Sequence, residues 1–338
     1  MVRALVTGAA GFIGSHLTER LLAQGADVVA VDSFTDNYPR WLKQLNLAGS
    51  SRQASCSFVE GDLLELDLAE LLQGVDLVFH QAAWPGVRAS WGSAFDGYTR
   101  NNVLATQRLL EAARQARLAK FVYASSSSVY GDSERYPTGE TTLPRPISPY
   151  GVTKLAAEHL CFLYWRRSKL PVVSLRYFTV YGPRQRPDMA FHIFIRNLLT
   201  GDPIEVFGDG GQSREFTFVD DVVTANLLAA ERGRPGAVYN IGGGSEVTLA
   251  GAIETVRSLT GRDGPVRYRA EQAGDARRTA ADIGLARREL GYRPEVGLEE
   301  GLCRQIAWLE EAYALQPVQT AKRETAGPET LLTEAGRP

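Results

Sequence analysis

Val2-Arg-Ala-Leu-Val-Thr-Gly8-Ala-Ala-Gly11-Phe-Ile-Gly14 is the stretch that decides the fold, because an apolar run leads directly into three regularly spaced glycines. An amphipathic pattern follows over Phe12–Gln24, so the glycines join a predicted strand to a predicted helix. Glycine allows such a turn to be tight because it has no side chain. The stretch therefore predicts the start of a parallel, doubly wound sheet whose ligands lie at its carboxyl edge.

The alternation of strand and helix continues through the first half of the chain. Short apolar runs predict further strands at Val28–Asp32, Phe58–Glu60, Leu77–His80, Phe121–Ser125 and Val172–Arg176, after a first strand at Val2–Thr7. Amphipathic periodicity predicts further helices at Asp67–Gln73, Asn101–Arg117 and Pro149–Arg167. Because alternating strands and helices form parallel sheets, we predict an α/β fold with a Rossmann-like doubly wound parallel sheet and a smaller C-terminal lobe.

The pattern changes after Arg176, where proline and glycine interrupt the chain and the predicted elements become short. A helix at Asp221–Arg232 and a strand at Val238–Asn240 are predicted to return to the sheet. We therefore predict a cofactor-binding domain over 1–176 with return segments near 217–241, and a substrate-binding lobe over 177–216 and 242–314. The polar residues 315–338 are predicted to form a disordered tail.

Composition limits the possible partners. The 338 residues have a formal net charge of -2, so we expect no general affinity for nucleic acid or for an anionic membrane surface. No run of roughly 18 apolar residues predicts a membrane span. Three widely spaced cysteines, Cys56, Cys161 and Cys303, indicate a reducing compartment, and we expect a cytoplasmic protein. The four histidines lack metal-ligand spacing and are expected to be structural, with no metal required; they are His16, His80, His159 and His192.

The glycine turn and the next strand end together indicate a dinucleotide site. Gly8, Gly11 and Gly14 open a helix whose N-terminus can receive a pyrophosphate, although a tight turn without a ligand has the same pattern. Asp32 ends the second strand, where a carboxylate can accept hydrogen bonds from a ribose and repel a 2′-phosphate, which favours NAD over NADP. Asp62 has a similar position after the third strand, but either aspartate could simply begin a turn.

The segment Tyr150-Gly-Val-Thr-Lys154 supplies the candidate catalytic pair. Ser148 and Pro149 suit the N-cap and first turn of a helix, on which Tyr150 and Lys154 share one face. A lysine ammonium near a phenol, together with a nicotinamide cation, favours the phenolate, so Tyr150 could act as a base. A solvated helix face has the same spacing, so the pair alone is weak evidence.

A run of hydroxyls, Ala124-Ser-Ser-Ser-Ser-Val-Tyr-Gly131, ends the fifth predicted strand at the ligand edge of the sheet. One of these hydroxyls can hydrogen-bond the group that is being oxidised. A serine-rich loop is usually only a loop. The order of glycine turn, acidic strand end, hydroxyl run and Tyr-Lys pair nevertheless favours an oxidoreductase site.

With these motifs in that order, the sequence resembles the extended short-chain dehydrogenase/reductase family over about residues 1–312, in its nucleotide-sugar epimerase branch. The resemblance implies Ser126, Tyr150 and Lys154 as the catalytic residues. It implies that Tyr150 removes the proton of a sugar 4-hydroxyl, that hydride passes to NAD, and that the transient NADH returns it to the other face of a 4-keto sugar. It also implies NAD contacts from Gly8, Gly11, Phe12, Ile13, Gly14, Asp32, Asp62, Leu63, Ala82, Ala83, Asn101, Tyr150, Lys154 and Tyr177.

Two segments, Pro85–Arg88 and Arg176–Met189, resemble those of UDP-glucuronate 4-epimerases. Thr179 stands where UDP-galactose 4-epimerases typically have Asn. Related dehydratases carry an Asp-Glu pair after the catalytic Thr, and related decarboxylases carry Glu at the position of Ser128. The hydroxyls of Ser127 and Ser128 therefore argue against dehydration and decarboxylation.

The chemistry of a uronic acid explains why an epimerase would need these residues. Oxidation at C4 creates a β-keto acid, which an epimerase must protect from loss of CO2 by controlling its carboxylate. Ser127, Ser128 and Thr179 are predicted to supply hydroxyls, and Arg186 or Arg88 a charge. Segments Gly211–Phe216 and Gln272–Asp275 resemble those that hold UDP, and this resemblance implies substrate contacts from Arg214, Gln272 and Asp275.

The interpretation is a UDP-glucuronate 4-epimerase that interconverts UDP-glucuronate and UDP-galacturonate. The alternatives are a 4-epimerase of neutral UDP-hexoses, a UDP-glucuronate decarboxylase and a catalytically inactive NAD-binding sensor. The resemblance also implies a homodimer that pairs through the Tyr150 helix and Asn101–Arg117. Phe162, Tyr164 and Trp165 on the Tyr150 helix are expected to form core or dimer surface rather than a ligand platform.

Overall fold

A computed structural model describes residues 1–271 and 274–314 of the chain. Its centre is a seven-stranded, entirely parallel sheet with the order β10-β6-β5-β4-β1-β2-β3. The strands of this sheet are β1 Arg3–Thr7, β2 Asp27–Asp32, β3 Cys56–Glu60, β4 Leu77–His80, β5 Lys120–Ser126, β6 Val172–Tyr177 and β10 Val238–Ile241. The chain reverses direction across the sheet between β1 and β4, which is where a doubly wound fold opens a ligand crevice.

Helices cover both faces of this sheet. The helices of the first half are α1 Phe12–Ala23, α2 Arg40–Leu47, α3 Leu68–Leu71, α4 Phe95–Tyr98, α5 Ala105–Ala113 and α6 Pro149–Ser168. Within β1, Ala4 and Val6 belong to one buried apolar cluster and Leu5 to another. Both faces of the sheet are therefore covered, which explains why its strands read as nearly continuous apolar runs.

The remaining strands form two small sheets. Helix α8 Val219–Arg232 packs against α1 and β5, and α10 Gly284–Leu290 packs against α8 and β10. The helices of the second half also include α7 Ala190–Thr200, α9 Leu249–Thr260, α10 Gly284–Leu290 and α11 Leu298–Ala314. The strands of the two small sheets are β7 Val180–Tyr181, β8 Ile204–Phe207, β9 Ser213–Phe218, β11 Ser245–Thr248, β12 Val266–Arg269 and β13 Arg278–Thr279.

The predicted α/β class and parallel sheet are confirmed, and the predicted strands differ from the observed ones only at their ends. Two predicted helices differ more. The one at Asp67–Gln73 is the single turn α3, with the Asp67 carboxylate accepting the N–H groups of Ala69 and Glu70. The one at Asn101–Arg117 is a π-helix over Thr99–Leu104 followed by α5.

The domain limits proposed from the sequence stay a prediction, and the predicted tail at 315–338 lies outside the described residues. Across the described ranges, no helix combines the length and the apolar character that a membrane span requires.

Candidate active site

The glycine turn between β1 and α1 leaves no room for side chains. Gly8 has a φ of +70°, and a Cβ there would lie 2.8 Å from the backbone nitrogen of Ala82. A Cβ at Gly14 would lie 2.1 Å from the carbonyl oxygen of Gly8. The helix N-cap is Gly11, whose residue type offers no side-chain cap, and the first turn of α1 carries no acidic residue. The N-terminus of α1 is therefore suited to an anionic group.

Asp32 lies at the end of β2, beside this turn. Its carboxylate accepts the N–H of Ala10 at 3.0 Å and the N–H of Phe34 at 2.8 Å. Burial raises the pKa of Asp32, while the hydrogen bond from Phe34 and the charge of Lys43 act in the opposite direction. The carboxylate is thus held in one orientation at the rim of the crevice.

A cleft that is partly open to solvent runs from Asp32 past the glycine turn to Tyr150. All fourteen residues that the sequence assigned to cofactor binding line it. Its length and its lining suit a dinucleotide: a carboxylate at one end, a glycine turn in the middle and the Tyr-Lys pair at the other end. The phenol oxygen of Tyr38, which also lines the cleft, is buried without a hydrogen-bond partner among the described residues, so a polar ligand would satisfy it.

Several lining residues were missed by the sequence analysis. Asn37, Tyr38 and Lys43 come from the loop after β2 and from α2, where the only available signal was a polar run after a strand. The Lys43 ammonium donates to the Thr35 carbonyl and, at 2.8 Å, to Asn37 Oδ1. These contacts shape the rim of the cleft next to Asp32.

The π-helix carries another residue that the sequence analysis missed, Asn102. Its side chain accepts the N–H of Trp84 at 2.6 Å and donates to the Trp84 carbonyl at 3.0 Å. It also donates to the hydroxyl of Thr153, between Tyr150 and Lys154 on α6, at 3.0 Å. Asn102 therefore ties the loop after β4 to the catalytic helix, whereas the predicted Asn101 lies in the cleft lining itself.

The catalytic helix α6 begins as predicted. The Ser148 hydroxyl accepts the N–H of Gly151 at 3.1 Å, and Pro149 occupies the first turn. Ser126 ends β5 and accepts the N–H of Ser128 at 3.1 Å, and its hydroxyl lies near enough to Tyr150 to lower the pKa of the phenol. Ser126 and Tyr150 thus lie together at the carboxyl edge of the sheet.

The charge around Tyr150 differs from the expectation. Burial raises the pKa of Tyr150, and the groups that act against burial are the guanidinium of Arg186 and the hydrogen bond from Ser126. Lys154, which was expected to favour the phenolate, lies with its ammonium 4.7 Å from the ring centre of Tyr123 instead. Burial lowers the pKa of Lys154 to about 8. The sequence could not reveal Arg186 as the nearer influence because the two residues are far apart in the chain.

A second pocket lies next to the Ser126 end of β5. Five of the eight predicted substrate residues line it, namely Ser127, Ser128, Thr179, Arg214 and Asp275. Another of the eight, Gln272, lies outside the described residues. Among the described lining residues, Asp275 is the single carboxylate.

The two candidate arginines occupy different places. Arg88 donates from Nη2 to Asp275 Oδ2 at 2.6 Å, and its guanidinium lies 4.3 Å from the ring centre of Phe207. Arg186 lines the cofactor cleft and makes a two-point ion pair with Asp188, at 3.0 and 2.9 Å. Neither arginine lines the hydroxyl pocket, so the predicted charge for a sugar carboxylate is not brought directly to Ser127, Ser128 and Thr179.

His80 and His192 are buried and His16 is partly buried, and all three are hydrogen-bonded, as expected for structural residues. His80 bridges the hydroxyls of Thr7 and Thr106, at 2.7 and 2.9 Å. His159 is different, because it is exposed on α6. The described residues contain no group of acidic, histidine and cysteine side chains arranged to hold a metal ion.

Comparison with known proteins gives one family. The model of the NAD dependent epimerase/dehydratase family matches residues 4–242. A crystal structure of UDP-glucuronic acid 4-epimerase from Bacillus cereus, in complex with UDP-glucuronic acid and NAD, is 43% identical with a TM-score of 0.90 and covers 92% of this chain and 100% of its own.

Two further relatives are similar over as much of the chain. The protein MoeE5 has been solved with UDP-glucuronic acid and NAD; it is 47% identical, has a TM-score of 0.84 and covers 92% of this chain and 99% of its own. A second MoeE5 structure holds UDP-glucose and NAD. The uncharacterized UDP-glucose epimerase YtcB of Bacillus subtilis is 45% identical over 316 residues, covering 92% of this chain and 99% of its own.

The geometry of Asp32 leads to a test of cofactor choice. Asp32→Asn keeps a side chain able to accept backbone hydrogen bonds but removes the charge. We expect affinity for NAD to fall roughly tenfold and the preference for NAD over NADP to narrow, because a charged hydrogen bond to a ribose and the repulsion of a 2′-phosphate are both lost. Calorimetric titration of nucleotide-free protein with NAD and with NADP measures both.

Asp36→Asn is the matched control, because Asp36 is an exposed carboxylate in the same loop. It should leave both affinities unchanged. Equal NAD and NADP affinities for the Asp32 variant and the unmodified protein would mean that Asp32 does not face the ribose.

Proposed function

The chain belongs to the NAD dependent epimerase/dehydratase family, and on that premise we propose that it is a UDP-glucuronate 4-epimerase. The reaction interconverts UDP-glucuronate and UDP-galacturonate through a 4-keto intermediate. The B. cereus relative is a UDP-glucuronic acid 4-epimerase, and both it and MoeE5 bind UDP-glucuronic acid together with NAD. The carboxyl edge of this sheet carries side chains that suit the same pair of ligands.

One observation carries the proposal: a pocket of hydroxyls adjoins the catalytic residues. Ser127 and Ser128 begin a short 3-10 helix directly after Ser126, and Thr179 lies across from them in the lining. Elimination of water needs an acid and a base close to the sugar. In the described lining, Asp275 is the one carboxylate, and its pairing with Arg88 removes it from such a role. Epimerisation needs no further acid.

In the proposed reaction, Tyr150, Ser126 and Lys154 have separate roles. Tyr150 takes the proton of the sugar 4-hydroxyl, and the Ser126 hydroxyl, which lowers the pKa of the phenol, orients that proton transfer. Lys154 keeps a positive charge one turn further along α6. NAD, held by the residues that line the cleft, would supply the hydride acceptor for C4 and the hydride that returns to the same carbon. Tyr150 then gives the proton back to the new 4-hydroxyl.

The keto intermediate of an acid substrate has to be protected from decarboxylation. A β-keto acid loses CO2 when its carboxylate stands perpendicular to the ring, so the protein must hold the carboxylate near the ring plane. The hydroxyls of Ser127, Ser128 and Thr179 are suited to this.

A second candidate function is 4-epimerisation of neutral UDP-hexoses. Two observations favour it: MoeE5 also binds UDP-glucose, and both candidate arginines are already paired with aspartates. A paired guanidinium attracts an added carboxylate less strongly than a free one. The two candidates share the chemistry at C4 and differ in the group attached at C5.

The cell compartment and the assembly are also part of the proposal. We propose a cytoplasmic enzyme, which the three unpaired cysteines support. We propose a homodimer formed through α6, α5 and the π-helix that precedes α5. Leu104, Val152, Phe162 and Leu163 are each about half exposed on these helices, which is unusual for apolar side chains so close together. Tyr164 on α6 donates to Glu111 on α5 at 2.7 Å, so the two helices present one joint surface.

The function is tested by incubating the purified protein with UDP-glucuronate without added cofactor and following the anomeric proton by NMR. We expect a UDP-galacturonate signal to appear. Release of CO2 with a UDP-pentose would mean decarboxylation. Faster conversion of UDP-glucose to UDP-galactose than of the acid would replace the proposal by the neutral-sugar alternative.

Tyr150→Phe is the control for this experiment, because it removes one oxygen and keeps the ring. The variant should retain NAD and lose turnover by at least about a hundredfold. Turnover close to that of the unmodified enzyme would remove Tyr150 from the role of base.

The position of Arg186 gives a prediction about pH. Activity requires unprotonated Tyr150, so it rises as the pH passes the pKa of Tyr150. Arg186→Gln removes the cation that lowers this pKa, and the acidic limb of the kcat profile should move to higher pH by roughly one unit. Stopped assays across the pH range, with NMR detection, measure the shift.

Arg88→Gln is the matched control, because Arg88 pairs with Asp275 at the far pocket wall rather than facing Tyr150. It should raise KM for the UDP-sugar and leave the acidic limb in place. A shift of equal size in both variants would contradict the separate positions of the two arginines.

The dimer is tested with Leu163→Glu, which places a carboxylate on the apolar surface of α6. We expect the dissociation constant to rise by about a hundredfold or more, because the charge would be buried in each copy. Sedimentation velocity measures the change. Leu143→Glu, at an exposed leucine outside these helices, is the control and should not alter assembly. A monomeric unmodified protein would contradict the proposal.

A further inference from the structure

A buried ion pair lies directly beneath the catalytic residues. Glu158 of α6 and Arg176 of β6 form two hydrogen bonds, Nη2 to Oε1 at 2.5 Å and Nε to Oε2 at 3.0 Å. Both side chains are almost completely buried, with 5% and 7% of their surfaces exposed. None of the functions assigned above uses this pair.

The pair joins the three elements that carry the catalytic groups. Glu158 follows Tyr150 and Lys154 at intervals of four on one face of α6. Its Oε2 atom also accepts the hydroxyl of Ser125 at 2.7 Å, and Ser125 is the neighbour of Ser126 on β5. One carboxylate therefore holds the end of β5, and with it Ser126, against the helix that carries the base.

The other end of the pair reaches the hydroxyl pocket. Arg176 donates from Nη1 to the phenol oxygen of Tyr130 at 2.7 Å, and Tyr130 donates to Asn240 Oδ1 at 2.8 Å. Tyr130 follows directly on the 3-10 helix that presents Ser127 and Ser128. The position of that helix is thus set by Arg176 as well.

Stability alone does not account for such a pair. Removing two charges from water costs several kcal/mol, and replacing a buried ion pair by apolar residues of similar volume is often neutral or stabilising. A carboxylate at this depth has an additional effect when a cation is near. Lys154, one turn away, is that cation.

The surroundings of Lys154 contain one carboxylate. The titratable groups that act on it or contact it are His80 on β4, Tyr123 on β5, and Cys161 and Glu158 on α6, where Tyr150 stands one turn away. Burial lowers the pKa of Lys154 to about 8, and Cys161 and Glu158 act in the opposite direction. Neutral His80 and Tyr123 contribute no compensating negative charge.

We propose that the Glu158–Arg176 pair is a positioning unit of the active site, in which Glu158 holds Ser126 against Tyr150 and keeps Lys154 in its charged form. Arg176 keeps Glu158 in place and aligns Tyr130 under the hydroxyl pocket. The inference rests on the proposed function for the catalytic roles of Ser126 and Tyr150, whereas the charge of Lys154 can be measured without turnover.

The direct test is the titration of Lys154 by NMR with lysine labelled at the ε carbon. The sequence contains five lysines, Lys43, Lys120, Lys154, Lys169 and Lys322, so the spectrum is simple, and Lys154→Arg assigns the signal. Glu158→Gln should lower the midpoint of Lys154 in nucleotide-free protein by about one pH unit or more. An unchanged midpoint would overturn the proposal.

Glu158→Gln leaves Arg176 buried without its partner and could prevent folding. The double variant Glu158→Gln/Arg176→Met removes both charges at similar volume, so it provides the second measurement. Its Lys154 midpoint should lie between that of Glu158→Gln and that of the unmodified protein. A midpoint equal to the unmodified value in a folded double variant would also overturn the proposal.

A kinetic measurement separates positioning from general damage. In both variants kcat for UDP-glucuronate should fall at least tenfold with KM within about twofold, and the alkaline limb of kcat should move to lower pH with the Lys154 midpoint. Equal losses in kcat and in substrate affinity, without a shift of that limb, would indicate a structural role only.

Glu215→Gln is the matched control, because Glu215 is also a buried carboxylate that accepts backbone N–H groups, from Ala281 and Gly244, but it lies in the small lobe. It should leave the Lys154 midpoint unchanged. If the unmodified protein does not epimerise UDP-glucuronate, the proposed function fails, while the Lys154 titration still decides whether Glu158 keeps that lysine charged.

Discussion

Tyr150 must lose a proton at a partly buried position, and the groups around it have to favour that loss. Burial favours the neutral phenol. The same burial shields a reactive keto sugar from solvent, so the site has to stay buried. The opposing influences therefore have to come from fixed groups, and the guanidinium of Arg186 and the hydroxyl of Ser126 are the groups that lower the pKa of the phenol. Arg186 and Ser126 belong to different segments of the chain, so the pKa of Tyr150 depends on how these segments are arranged at the edge of the sheet.

Paired charges recur around this edge. Arg88 pairs with Asp275, Arg186 with Asp188 and Arg176 with Glu158. A guanidinium that already has a carboxylate partner contributes direction and donors but little net charge. These pairs hold loops and strands that are distant in sequence, whereas the pocket beside Ser126 is lined by the hydroxyls of Ser127, Ser128 and Thr179 and by Arg214.

Local sequence patterns were sufficient to predict the sheet and the cofactor cleft. Apolar runs mark the strands, and parallel strands bring all their carboxyl ends to one edge, so Gly8, Asp32, Ala82 and Tyr177 could be placed together from the sequence and the family resemblance. The sequence could not predict the pairings of Arg88 and Arg186, the contacts of Lys43 or the π-helix. They depend on side-chain directions and on loop paths, which tertiary packing determines. The same reason explains why Lys154 was expected to be the charge acting on Tyr150 and Arg186 was not.

A pocket of hydroxyls also suits the movement that epimerisation demands. The keto sugar has to present its opposite face to the same hydride donor, so every group that binds the ring must release it and bind it again. A two-point ion pair between arginine and the sugar carboxylate would hold one orientation strongly and resist this turn. Hydroxyls donate and accept in several directions and hold either orientation at lower energy. Ser127, Ser128 and Thr179 can therefore restrain the carboxylate and still let the sugar ring turn. The charged pairs do not contact the part of the substrate that moves.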